Sequence, residues 1–87
     1  MIQPNDIPDG WHELNTEFTQ QKQAFQRPRD GLIVSIEFGT GHQTDYSAVT
    51  LPENFVDDHR VIDVIHDSND RTEVEEQALV FMEENER

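Results

Sequence analysis

The sequence predicts an α+β fold, an antiparallel sheet of four or five strands with a C-terminal helix packed on one face. Three observations carry that expectation. Leu32, Val34, Ile36 and Phe38 alternate with Ile33, Ser35 and Glu37, the two-residue period of a half-buried strand. Val74, Ala78, Phe81 and Met82 share one face of a helix over about residues 72–85. Between them in kind, Arg27-Pro28-Arg29-Asp30-Gly31 is turn chemistry, because proline presets φ and glycine accepts a positive one. The 87 residues make a single domain, 1–87, whose core is thin because a short chain buries a small share of its surface.

Taken in order, residues 1–10 read as an irregular segment punctuated by Pro4, Pro8 and Asp9-Gly10. Residues 11–27 fit two patterns. Trp11, Leu14, Phe18 and Phe25 have helical spacing, whereas His12, Leu14, Thr16 and Phe18 alternate. The turn at Arg27–Gly31 favours two strands, partly joined as a hairpin, with a helix as the alternative. After the strand at 32–38, Gly39-Thr40-Gly41-His42 reads as a turn into a second strand, Tyr46 to Leu51, which Pro52-Glu53-Asn54 ends. Val61, Ile62, Val64 and Ile65 suggest a short, mostly buried strand. Thr72 and Glu75 have capping-box spacing at the start of the helix. A helix on one face leaves the other face of the sheet to polar residues, a partner or a ligand.

Charge narrows the function. Nineteen Asp and Glu stand against six Lys and Arg, for a net charge of −13. Phosphate-backbone binding needs clustered cations, so direct nucleic-acid binding is excluded as the main activity, and anionic membrane surfaces are disfavoured. Three readings of the acidity compete: adaptation to a salty cytosol, an acidic decoy for a basic nucleic-acid-binding protein, and divalent-cation binding. The negative charge is graded, with residues 1–30 carrying five acids and three bases, 31–60 five and one, and 61–87 nine and two. Spread acidity of this kind favours adaptation to salt, where screening relieves self-repulsion. Cysteine is absent, which removes disulfides and thiolate chemistry and suits a reducing compartment. The first residues lack the basic and apolar regions of a secretion signal, and no apolar run could span a bilayer, so the expected location is the cytoplasm.

Motifs with chemistry are few. Gly39-Thr40-Gly41 follows a strand, but Thr44 occupies the third glycine position of a dinucleotide loop and a strand follows, so a hairpin turn explains it. His59 and His66 with Asp57 and Asp67 are the densest group of cation ligands, which makes the His59–Asp67 region a weak metal candidate. If residues 61–66 form a regular strand, Asp63 and His66 point to opposite sides and cannot converge. Asp67-Ser68-Asn69-Asp70 lacks the glycine and glutamate of a calcium loop, and reads instead as the approach to a helix. No catalytic constellation and no cofactor-binding motif stand out, so no enzyme activity is expected.

Three features point to association. Trp11 is expected near a sheet edge, Leu79 and Val80 flank the buried stripe of the helix, and a one-sided sheet offers an edge for pairing. Homodimerisation is one remedy for a thin core. The lysine-poor, acid-rich composition, Trp11, the Asp30-Gly31-Leu32-Ile33-Val34 segment and Arg71-Thr72-Glu73 before the helix together make the chain similar to small acidic haloarchaeal proteins of unknown function. That resemblance covers composition and layout and implies no particular catalytic or binding residue. The expectation is a non-enzymatic, halophilic domain acting through an unidentified protein partner or a second copy of itself.

Overall fold

The computed structural model describes residues 2–14, 21–38, 44–55, 57 and 60–85. Five strands, β1 (His12–Leu14), β2 (Gln21–Gln26), β3 (Ile33–Phe38), β4 (Tyr46–Leu51) and β5 (Asp63–Ser68), precede one helix, α1 (Arg71–Glu84). They form an antiparallel sheet in the order β1-β2-β3-β4-β5, and α1 lies against β3, β4 and β5. Residues 11–27 thus supply two strands, paired with His12 opposite Gln26 and Leu14 opposite Ala24. The turn at 39–42 expected from the sequence lies outside the described residues, although β3 and β4 pair in regular register, Ile33 with Leu51 and Phe38 with Tyr46.

The sheet is buried on both faces, contrary to the one-sided layer expected. Under α1, Phe25, Val34, Ile36 and Ala48 pack with Val74, Ala78 and Met82, and Ile2 and Trp11 close this core at its end. On the reverse face Ala24, Ile33, Val49 and Leu51 form a second cluster with Phe55, which folds back from the segment after β4, and Leu14 packs beside them. The alternation along β3 therefore separates the two apolar clusters, and on the reverse face it turns polar at Ser35 and Glu37. Ser35, Glu37 and Ser47 are buried on the reverse face, where Ser35 donates to Glu37 Oε2 at 3.3 Å and Ser47 donates to Asp67. Those bonds offset part of the cost of taking hydroxyl and carboxylate groups out of water.

Local chemistry explains the joints. Gly31 takes φ +79° in the turn after β2, a conformation that L side chains rarely adopt. A Cβ there would also collide with the Glu53 side chain. Helix α1 is capped by Asp70, whose side chain accepts from Thr72 N at 2.9 Å, so the capping box expected from Thr72 and Glu75 is not made. Glu75 instead accepts from Arg71 Nε at 3.1 Å, one turn back on the same helix. At the amino end the Gln23 amide makes two bonds to Ile2, one to its N–H at 2.9 Å and one to its carbonyl at 3.0 Å. The irregular first segment is thereby stitched to β2 and carries Ile2 into the core.

The free edge of the sheet and the clamp on the helix end

Strand β5 ends the strand order, and among the described residues no strand pairs with its outer side. Of the apolar residues in and just before it, Ile65 is partly buried, but the others are not buried as the sequence suggested. Val61 is 37% exposed, Ile62 50% and Val64 52%. The reason is topological. In a meander the last strand has a neighbour on one side only, so an apolar sequence does not secure burial. Val64 sits opposite Val49 on the reverse face of the sheet and carries apolar surface out to solvent there. Ile62 lies just before β5, its N–H donating to Thr50 O at 2.8 Å.

A register shift between Ala48 and Val49 divides β5. Val64 pairs with Val49 and His66 with Ala48, which leaves Ile65 as the extra residue of a bulge. Asp63 faces Thr50, and Thr50 and Ala48 lie on the helix side of β4, so Asp63 and His66 share a face instead of opposing one another as a regular strand would require. Ile65 packs against the helix-side core, and His66 Nε2 lies 2.7 Å from Glu73 Oε2 on α1. That contact and a bond from Ser68 hold the Glu73 carboxyl below its ordinary pKa.

The residues singled out in the sequence are distributed over three environments. Of the cation candidates, His59 lies outside the described residues. His66 is turned to α1, Asp67 accepts from Ser47 on the reverse face, and Asp57 is exposed. Among the described residues no three His, Asp or Glu side chains converge on a point where a cation could sit. Trp11 is only 7% exposed, Leu79 packs against the helix-side core, and Val80 stands in solvent on the outer face of α1. The described residues form no pocket, and no helix of the structure is long and apolar enough to cross a membrane.

Trp11 and an arginine not singled out by sequence form a clamp on the carboxyl end of α1. The last carbonyls of a helix lack partners and carry the negative end of its dipole, yet this helix has no basic residue in its last turn. The indole Nε1 donates to Met82 O at 3.1 Å and to Asn85 O at 3.2 Å. Arg27 donates to Asn85 O at 2.8 Å, stacks 5.5 Å from the centre of the Trp11 ring, and holds Asp30 by two bonds of 3.0 and 2.6 Å. The pairing with Arg27 lowers the Asp30 pKa from 3.8 to about 2. Comparison with protein-family models, with curated proteins and with solved structures found no match to this chain.

Proposed function

We propose that this chain is a non-enzymatic protein-association domain that docks its partner on the outer edge of β5. The observation that supports the reading is the exposure of Ile62 and Val64, just before and within an edge strand whose outer side pairs with no strand among the described residues. Scattered apolar residues on a surface are ordinary, but β-branched residues on the free edge of a sheet form a template for a further strand. Covering two half-exposed side chains of this size contributes on the order of 2–3 kcal/mol. Edge-strand hydrogen bonds supply the orientation.

Replacing both residues, Ile62→Lys and Val64→Lys, tests the reading without touching the core, since both side chains already reach solvent. Chemical cross-linking in the cells of origin, followed by mass spectrometry, is expected to identify a defined partner of the wild-type chain that the double variant loses. The variant should retain the wild-type urea midpoint. A partner held equally by the double variant would overturn the assignment of β5 as the docking element.

A further inference from the structure

The chemistry along β5 also specifies what kind of chain would pair with it, on the reading that this edge is the docking element. We propose that the sixth strand is an extended segment of another protein in which apolar residues alternate with lysine or arginine. The argument rests on how the two sides of β5 differ. On the reverse face Val64 presents exposed apolar surface beside Val49, with Ile62 exposed just before the strand. On the helix face Asp63 is exposed, and Glu73 stands above that face against His66. A paired strand sends successive side chains to opposite faces, so beside Asp63 and Val64 its alternate residues meet carboxylate and apolar surface in turn. An alternating apolar and basic segment satisfies both.

Charge argues against a second copy of the same chain as the occupant. Each copy brings a net charge of −13 to the contact. Pairing two β5 edges would also gather Asp63 and Asp67 of both copies along one seam, and like charges gathered there are destabilising. Arg71, the basic residue at the start of α1, is already paired with Glu75. A cationic strand is attracted by the net negative charge of the chain, and the apolar contacts keep it there when salt weakens that attraction.

Three labelled peptides of equal length distinguish the alternatives: Lys and Val alternating, Lys and Ser alternating, and Glu and Val alternating. Binding to the full chain would be followed by fluorescence anisotropy at 0.15 M KCl, with amide chemical shifts locating the contact. The Lys-Val peptide is expected to bind at least about tenfold more tightly than either control, with shifts centred on residues 61–68. Its affinity should fall about tenfold in the Ile62→Lys, Val64→Lys variant. Equal binding of the Lys-Ser peptide would reduce the effect to general charge attraction and overturn the inference. Dimerisation of the chain alone, lost in the double variant, would do the same by assigning the edge to a second copy. If cross-linking identifies a partner dependent on β5 that contains no such segment, the inference fails while the docking role of the edge stands.

Discussion

Trp11 and Arg27 show how two side chains distant from α1 in sequence can complete it. The indole adds a donor to Met82 O beside the Asn85 N–H and another to Asn85 O, and the guanidinium supplies the positive charge that the last turn of the helix lacks. Replacing Trp11 with Phe keeps an aromatic body against Phe81 but removes both bonds. The expected loss is about 0.5–1.5 kcal/mol, the net worth of an intramolecular hydrogen bond, because Met82 O still accepts from the Asn85 N–H and Asn85 O from Arg27; urea unfolding followed by circular dichroism measures it. Asp30 adds a pH dependence. Because its folded pKa is depressed to about 2 from 3.8, its contribution is complete above 3.8 and is lost as pH falls through about 2. The stability difference between wild type and Asp30→Asn should therefore be constant from neutral pH down to about 4 and shrink below it. A difference that persists unchanged at pH 2 would contradict the pairing with Arg27. None of this clamp was legible in the sequence. Residues 27–31 announce a turn, but that the turn meets Asn85 is a property of the folded chain.

At the scale of elements, the strands with the clearest periodicity were legible and the edge was not. Leu32–Phe38 and the stripe of Val74, Ala78 and Met82 record local periodicity, which survives in the structure as β3 and α1. Residues 61–65 have as apolar a sequence as a central strand, and only their place at the end of the meander exposes them. The bulge at Ile65, which puts Asp63 and His66 on one face, has no composition of its own to reveal it. The start of α1 offers a test that separates the two caps. Asp70→Ala should cost about 1 kcal/mol of stability because it removes the acceptor for Thr72 N, whereas Thr72→Ala should cost less than half of that. A larger loss for Thr72→Ala in urea unfolding would restore the capping box.

For the whole molecule the dominant quantity is charge. With a net charge of −13 on 87 residues and nine of the acids in the last 27, folding brings like charges together throughout the surface. Screening shortens from about 10 Å at 0.1 M salt to about 3 Å at 1 M, so self-repulsion fades over that range. We therefore propose a domain adapted to concentrated salt, and expect its melting temperature to rise between dilute buffer and 1 M KCl. A melting temperature unchanged by KCl would leave the carboxylates to be explained by a basic partner alone. Both accounts are compatible with the same edge, because the exposed apolar residues at β5 would hold the proposed strand under conditions in which the carboxylates contribute least.

Site-specific photo-cross-linking tests the association reading most directly. A photoreactive phenylalanine analogue placed at position 64, on the edge strand, and at position 29, in the exposed turn after β2, would be irradiated in the cells of origin. A discrete adduct with one identified protein from position 64 and none from position 29 is the predicted result. Adducts from position 29 alone, or no adduct from either position, would contradict the account and return β5 to the status of an ordinary solvent-facing edge.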